Sequence, residues 1–309
     1  MMLADQIAYV ALVSTDPDAA ADVLERHFGL KRCNLGSAGG PIAVFPLGAS
    51  ALAVFPPEHP LVDGETKPGV HHLALGVDDL DEATRRAAAC GANPGLLGAG
   101  LAGRRVTTLA RDTMLGMRTR LIERLDLPTH HGERVTKIDH IGVASTDVRE
   151  DEAVYAGKLG FVVESRQTDM EVSLAVESFT SDKYGVVYHS RPPEPVGGLR
   201  VTFITVGDCE LEFLANFDPR KDAQIRHGAA GTTSQDQGAI TRFVASRGRG
   251  LHHVAVKSKD INALLGSMAA AGIPMIDTRG RPGSRRALIG FPHPKALGGV
   301  LMHIVQRPD

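Results

Sequence analysis

The sequence contains no tryptophan, and aromatic residues make up only 5% of its 309 residues. Proteins that stack nucleobases or sugars depend on aromatic side chains, so this scarcity argues against such a binding platform. Cysteines are also few, at Cys33, Cys90 and Cys209, an odd number of widely separated positions. That pattern predicts neither a disulfide framework nor a zinc ribbon, and it fits a reducing cytoplasm.

Excess charge and long apolar runs are lacking as well. The formal net charge is −2, so no surplus of positive charge attracts nucleic acid. No apolar run approaches the roughly 18 residues that span a bilayer, and the start MMLADQIAYVALVSTDPD lacks the basic and apolar regions of a signal peptide. With 43% hydrophobic residues, the composition predicts a globular cytoplasmic protein that acts on a small molecule.

The chain repeats itself at two levels. GVHHLALGVDDLDEATRRAAACG at 69–91 resembles GLHHVAVKSKDINALLGSMAAAG at 250–272, with the glycines, the double histidine and one aspartate in register. AYVALVSTD at 8–16 resembles DHIGVASTD at 139–147, but at a smaller offset. The C-terminal copy is therefore longer between the two matches, and the segments 164–198 and 219–238 are the predicted insertions.

Each repeated segment has the same order of local signals. A short apolar strand ends at an aspartate that can cap a helix, the helix ends at a glycine, and β-rich segments follow. This order predicts an α+β protein of four βαβββ units, two in each half. Proline and polar residues between Leu127 and Glu133 separate the halves, so we predict domains at 1–126 and 134–309.

Paired units of this kind resemble the vicinal oxygen chelate superfamily of glyoxalases and extradiol dioxygenases. The C-terminal half is most similar to methylmalonyl-CoA epimerases through IDHIGVASTD, GDCELEFL, ITRFVASRGRGLHHVAV and FPHPKALGGVLMHIV. The resemblance implies two domains with curved mixed sheets and one divalent metal ion held by side chains on the first and last strands of two units. Because side chains alternate along a strand, four strands can each point one ligand at a common centre.

The resemblance places metal ligands at His140, Glu212, His253 and His303, with iron, cobalt, nickel, zinc or manganese as the ion. A single buried histidine is more often a packing residue, but Glu212 and His303 interrupt apolar strands where an unpartnered polar group is costly. The family normally has glutamate at the position of His303. A histidine there can still bind metal through a neutral ring nitrogen.

The expected reaction is proton transfer on a small carbonyl or hydroxy-carbonyl substrate, an epimerisation or isomerisation through a metal-stabilised enolate. Glu210 and His303 are the candidate catalytic residues, and Glu171 or Glu177 of the first insertion could also supply the base. An Fe(II)-dependent dioxygenase with His140, His253 and Glu212 as ligands remains an alternative. A metal-free ligand-binding or resistance protein is a second alternative.

The N-terminal half lacks an equivalent ligand set. Its corresponding residues are Tyr9, Ala53, His72 and approximately Arg120, so we expect a degenerate domain that packs against the working one, and a homodimer remains open. Alternation along the strand predicts that His252 faces away from His253. A cluster of arginines could bind an anionic substrate, as could Lys295; the arginines are Arg279, Arg281, Arg285 and Arg286. The segment from Gly98 to Gly103 matches GxGxxG, but we predict that it forms a loop and binds no dinucleotide.

Overall fold

The computed structural model describes residues 2–64, 66–217 and 238–308, and the side chains at 171–173 and 195–196 lie outside that description. Of the second predicted insertion, 219–238, only Gly238 falls within the described residues. The side chain of Glu171 also lies outside them. No described helix is long and apolar enough to cross a membrane.

The N-terminal half forms one eight-stranded mixed sheet in the order β2-β3-β4-β1-β5-β8-β7-β6. The pairs β1/β4 and β5/β8 are parallel, and the central pair β1/β5 is antiparallel. Its strands are β1 Gln6–Val13, β2 Cys33–Leu35, β3 Ile42–Leu47, β4 Ser50–Phe55, β5 Gly69–Val77, β6 Gly98–Ala99, β7 Arg105–Thr108 and β8 Thr119–Glu123.

The C-terminal half repeats this topology with the order β10-β13-β14-β9-β15-β18-β17-β16. A separate two-stranded sheet, β11-β12, lies within the first predicted insertion, 164–198. The strands are β9 Val135–Ala144, β10 Val162–Ser173, β11 Val176–Ser181, β12 Gly185–Ser190, β13 Glu194–Val206, β14 Cys209–Phe217, β15 Gly250–Ser258, β16 Arg281–Pro282, β17 Leu288–Gly290 and β18 Met302–Gln306. The prediction of four βαβββ units in two curved domains is confirmed.

Helices pack against both sheets. Asp16, Asp79 and Asp260 cap the helices at the predicted places, each accepting a hydrogen bond from a backbone N–H in the first turn. The helices are α1 Pro17–Arg26, α2 Leu80–Ala89, α3 Val148–Glu152 with a π-helical continuation Ala153–Lys158, α4 Ala239–Arg247 and α5 Ile261–Ala270. Short 3-10 turns occur at Pro60–Val62, Leu101–Gly103, Ser284–Arg286 and Pro294–Leu297. The GxGxxG segment, predicted to be a loop, forms a two-residue strand and a 3-10 turn and does not open an α-helix.

One hydrophobic core joins the halves. It contains residues from both sheets and the helices between them, including Phe28 and Met114 from the first half and Tyr155 and Phe161 from the second. The Tyr155 hydroxyl also donates a hydrogen bond to the Met114 carbonyl oxygen at 2.9 Å. The concave face of the first sheet has its own hydrophobic cluster, and the concave face of the second sheet has two, which flank the candidate site.

Candidate metal centre

The predicted ligands lie in two rows across the centre of the second sheet. In the first row, Gly142 of β9 pairs with Glu212 of β14 on one side and with His253 of β15 on the other. A Cβ atom built on Gly142 would lie 2.0 Å from Cε1 of His253. Glycine is therefore required here because the His253 ring occupies the space above the β9 backbone.

The second row brings the two remaining histidines together. Ala255 of β15 pairs with His140 of β9 and with His303 of β18. The small alanine side chain leaves room between the two rings, and the Nε2 atoms of His140 and His303 lie 3.0 Å apart. The two rows thus place four polar side chains, each from a different strand, at one point of the concave face.

Three pairs of donor atoms, Glu212–His140, Glu212–His253 and His140–His303, lie at separations expected in the shell of one metal ion. Oε2 of Glu212 lies 3.3 Å from Nε2 of His140 and 3.3 Å from Nε2 of His253. One donor atom from each of His140, His253 and His303 lies within 4.8 Å of the others. Ligands about 2.1 Å from one ion lie about 3.0 Å apart in an octahedral shell and about 3.4 Å apart in a tetrahedral one.

One buried ring nitrogen of the cluster lacks a hydrogen bond. Nε2 of His253 is buried and forms no hydrogen bond with any described residue, although Glu212 lies near. A buried polar atom without a hydrogen bond is costly, and a bound cation would remove that cost. Imidazole and carboxylate donors suit a divalent transition metal, so the residues present fit the implied ion.

The charges at the site are unequal. Burial lowers the pKa of His140, but the carboxylates of Glu212 and Asp139 outweigh burial and raise that pKa to about 9. Burial lowers the pKa of His253 and takes that of His303 well below its usual range. Burial raises the pKa of Glu212, but the neighbouring histidines reverse the effect and hold it well below the ordinary value. In the metal-free protein at neutral pH, His140 is therefore the one ring of the three that is positively charged, and it must lose a proton before it can bind a metal ion.

The cluster lies at the wall of a cavity of about 470 Å³. Its lining is mainly apolar, and the aromatic rings of Phe203 and Phe291 pack edge-on against His140 and His303, respectively. The remaining lining residues are Leu199, Leu214, Asn216, Ala239, Ile240, His252, Ile276, Arg281, Ser284, Ala287, Ile289, Leu301, Val305 and Arg307. Such a cavity suits a small molecule with an apolar body and a polar end at the cluster.

Glu210, the predicted catalytic carboxylate, is engaged elsewhere. It forms an ion pair with Arg285, whose Nη1 lies 3.0 Å from Oε1, and Arg307 lies 3.7 Å away. Glu210 is also absent from the described residues that line the cavity. Glu177 lies on the exposed β11-β12 hairpin and pairs with Arg191 at 2.7 Å, so the proposal that it reaches into the site is wrong.

The orientation predicted for His252 is wrong. The β9/β15 pairing shifts register between Leu251 and His253, so a β-bulge interrupts the alternation of side chains. His252 lines the same cavity as His253, and the Nδ1 atoms of the two rings lie 3.0 Å apart. Burial lowers the pKa of His252 to about 3, so its ring is neutral.

Only part of the predicted cationic cluster reaches the cavity. Arg281 lines it, whereas Arg285 lies over the Phe203 ring with its guanidinium carbon 3.6 Å from the ring centroid. Arg279, Arg286 and Lys295 are exposed and do not line the cavity within the described residues. Sequence reasoning missed Asp139, which lies beside His140, and Arg307; the aspartate directly before the histidine in IDHIGV was the available signal.

The N-terminal half has the same two rows with other residues. Ala11 pairs with Ala53 and His72, and Ala74 pairs with Tyr9 and Arg120. The registers match those around Gly142 and Ala255, so the predicted correspondence of the two halves is confirmed. Among these positions only His72 has a typical metal-binding side chain.

Comparison with known proteins agrees with this architecture. Two sequence models described as Glyoxalase/Bleomycin resistance protein/Dioxygenase superfamily match residues 6–112 and 139–291, one in each half. The chain belongs to this superfamily.

Individual relatives are distant. Human mitochondrial methylmalonyl-CoA epimerase is 24% identical over 182 residues, covering 59% of this chain and 80% of the human protein. The mouse epimerase is 26% identical over 129 residues, covering 42% of this chain and 64% of the mouse protein. Among solved structures, a triple mutant of 4-hydroxymandelate synthase from Streptomyces coelicolor aligns with a TM-score of 0.62 and 18% identity, covering 99% of this chain and 93% of that one. This last likeness concerns the fold.

Proposed function

We propose that the chain is a metal-dependent enzyme that binds one divalent ion through His140, Glu212, His253 and His303. Its substrate is a small carbonyl or hydroxy-carbonyl compound that presents two adjacent oxygens, and its reaction is an epimerisation or isomerisation. The observation that carries the proposal is the convergence of four buried donor side chains from four strands at the wall of a cavity. The relatedness to epimerases supports the reaction class.

When bound, a divalent ion at this cluster supplies Lewis-acid chemistry that stabilises negative charge developing on a substrate oxygen. The chain's own residues position the substrate. Phe203, Phe291 and the surrounding aliphatic side chains hold an apolar substrate body and exclude water, which strengthens electrostatic interactions within the site. Arg281 and Arg307 line the same cavity and favour a substrate with an anionic or strongly polar end.

Of the two candidate proton carriers, the geometry favours His303 over Glu210. Glu210 is held in ion pairs with Arg285 and Arg307 and is not among the described residues that line the cavity. His303 faces the cavity, is neutral because burial lowers its pKa, and has no hydrogen-bond partner for Nδ1 among the described residues. His303, and not Glu210, therefore lies where it can exchange a proton with a substrate in the cavity.

A second candidate is an Fe(II)-dependent dioxygenase. The specific observation in its favour is that Oε2 of Glu212 lies at 3.3 Å from both His140 and His253, which forms a set of two histidines and one carboxylate. Such sets hold non-heme iron in oxygenases. Under this proposal His303 is a neighbour of the metal and not a ligand.

The metal assignment is tested by elemental analysis of protein purified without chelator. We expect one equivalent of a divalent metal in the wild type, and less than a tenth of an equivalent in His253→Ala. The matched control is His72→Ala, the same substitution at the corresponding position of the other half, which should retain the metal. Full metal content in His253→Ala would contradict the assignment, and a folded, metal-free wild type that binds ligands unchanged would establish a binding protein.

The reaction class is tested by turnover of 2-oxo, 2-hydroxy and 2-methyl-branched acyl substrates in heavy water. Incorporation of solvent deuterium at the carbon next to the carbonyl, lost in His303→Gln and retained in Glu210→Gln, supports the isomerase with His303 as proton carrier. Oxygen consumption that requires iron would decide for the dioxygenase. Deuterium incorporation that is retained in His303→Gln and lost in Glu210→Gln would return the role to Glu210.

A further inference from the structure

Two β-bulges lie next to the candidate ligands. In the β9/β15 pairing, His140 is opposite Ala255 and Ile138 is opposite Val256, which leaves Asp139 without a partner. Across the same strands, Leu251 is opposite Val143 and His253 is opposite Gly142, which leaves out His252. A bulge breaks the alternation of a strand, so consecutive side chains can contact each other.

The first bulge brings Asp139 against the back of the His140 ring. Oδ1 of Asp139 accepts a hydrogen bond from Nδ1 of His140 at 2.8 Å. Arg307 holds the carboxylate from its other side, with Nε donating to Oδ2 at 3.1 Å and Nη2 donating to Oδ1. Asp139 is only 4% exposed, and a buried carboxylate is costly unless it is paired in this way.

The N-terminal half supplies an internal comparison for these contacts. The same bulge occurs there, because Ile7 pairs with Leu75 and Tyr9 with Ala74, but the bulged residue is Ala8. The arginine is also present: Arg124 follows Arg120 by four positions, as Arg307 follows His303, and it binds Asp5 at 2.6 Å and also Asp78.

The contact between neighbouring histidines recurs in both halves as well. Nδ1 of His71 lies 2.8 Å from Nδ1 of His72, much like the pair His252 and His253. The bulges, the arginine and the double-histidine contact therefore belong to the scaffold of both halves. The carboxylate is the component that occurs only behind the candidate ligand His140.

We propose that Asp139, held by Arg307, is a positioning residue of the metal centre. It keeps the Nδ1 proton of His140 on the far side of the ring, so that Nε2 points to Glu212 and His303. The inference rests on the proposed function in that His140 is taken as a ligand. Carboxylates behind ligand histidines fix the ring orientation and raise its basicity, and their loss typically reduces metal affinity about 10-fold to 100-fold.

The test compares metal affinities of three variants of the whole chain, with zinc as the probe in competition with a chromogenic chelator. Asp139→Asn keeps the shape and removes the charge, and we expect affinity to fall about 10-fold to 100-fold. Arg307→Gln leaves Asp139 in place, and we expect a smaller loss. Glu210→Gln is the matched control, since it makes the same chemical change 3.7 Å from Arg307. Glu210 pairs with His140 along the strand, but its described side-chain hydrogen bonds go to Arg285 and not to the His140 ring, so we expect affinity within twofold of the wild type.

Equal affinity of Asp139→Asn and wild type would overturn the inference, as would an equal loss in Glu210→Gln. A second measurement is independent of metal: NMR of the metal-free protein should show a slowly exchanging Nδ1 proton on His140 that is lost or strongly shifted in Asp139→Asn. If the wild type binds no zinc, the proposed function fails, and this proton signal alone decides whether Asp139 positions the ring. An unchanged signal in Asp139→Asn would overturn the inference.

Discussion

The two halves share a sheet order and a strand register, yet their concave faces are built differently. In the C-terminal half the rows read Glu212–Gly142–His253 and His140–Ala255–His303. In the N-terminal half the same rows read Ala53–Ala11–His72 and Tyr9–Ala74–Arg120. The strand register therefore brings the side chains of the two rows together on the concave face of each sheet, and the residue types decide whether they can bind an ion.

In the N-terminal half, large rings occupy the place on the concave face that corresponds to the candidate metal centre. Tyr9 and Phe55 pack with their ring centroids 6.4 Å apart, and the Tyr9 hydroxyl lies 3.1 Å from Nε2 of His72. These rings belong to one continuous hydrophobic cluster on the concave face. In the C-terminal half the corresponding apolar residues form two separate clusters, with the polar centre and the cavity among them.

Arg120 differs in chemistry from the candidate ligand at the corresponding position of the other half. It stands where His303 stands in the other half, is buried, and donates to Asp63 at 2.9 Å. Burial raises the pKa of Tyr9 to about 12 despite the nearby arginine, so the phenol stays protonated. This half thus has a neutral hydroxyl and a permanent cation where the C-terminal half has His140 and His303, so a packing role for this half remains our prediction.

The largest expected effect comes from separating the halves. Expressed alone, residues 132–309 should aggregate, because the core that contains Tyr155 and Phe161 is completed by Phe28 and Met114 of the first half. Size-exclusion chromatography and metal analysis check this, with co-expression of 1–131 and 132–309 as the control. A soluble, monomeric and metal-loaded fragment would show that the first half is not needed as a scaffold.

The next effect concerns the glycine in the first row. Gly142→Ala should displace the His253 ring, since the new methyl group would lie 2.0 Å from it, and should reduce metal content to less than a tenth. Overpacking of this kind costs about 1–3 kcal/mol of unfolding free energy. The reciprocal change Ala11→Gly, in the same register of the other half, should leave metal content unchanged. Retention of metal in Gly142→Ala would mean that His253 is not a ligand.

The halves should also differ in proton release. A metal ion binds the neutral ring of His140, whose pKa is raised to about 9, so affinity should rise about tenfold per pH unit between pH 6.5 and 8.5 and level off above 9. In the metal-free protein the same group stabilises the fold fully below pH 6.5, and this stabilisation is lost as pH rises through 9. Calorimetric titration in buffers of different ionisation enthalpy measures the released proton. A pH-independent affinity would contradict the assignment of His140.

The smallest expected effect comes from a substitution in the N-terminal half. Tyr9→Phe removes the buried hydrogen bond to His72 and should lower the unfolding free energy by about 1 kcal/mol. Metal affinity should stay within twofold of the wild type, because no ligand is touched. Chemical denaturation and metal titration of the same preparation check both statements, and a large loss of metal affinity would give the first half a direct part in the site.

Local patterns were sufficient for much of the architecture, whereas the candidate ligands were predicted through the resemblance to the vicinal oxygen chelate superfamily. The capping aspartates at 16, 79 and 260, the four βαβββ units and the correspondence of Ala53 with Glu212 could all be predicted, because capping and alternation act over a few residues. The position of His303 was predicted through that resemblance, and no local signal shows whether it binds metal or moves a proton. The orientation of His252 was predicted wrongly, since alternation was assumed across a bulge.

The sequence by itself determined which strands form, which residues cap the helices and which side chains share a strand position in the two halves. Only the tertiary structure decided that Asp139 and His252 lie on bulges, that Glu210 forms an ion pair with Arg285, and that Arg307 binds Asp139. These features depend on how strands far apart in the chain pair with each other. A bulge and an ion pair between distant strands have no local pattern, because their energy arises only after the sheet has closed.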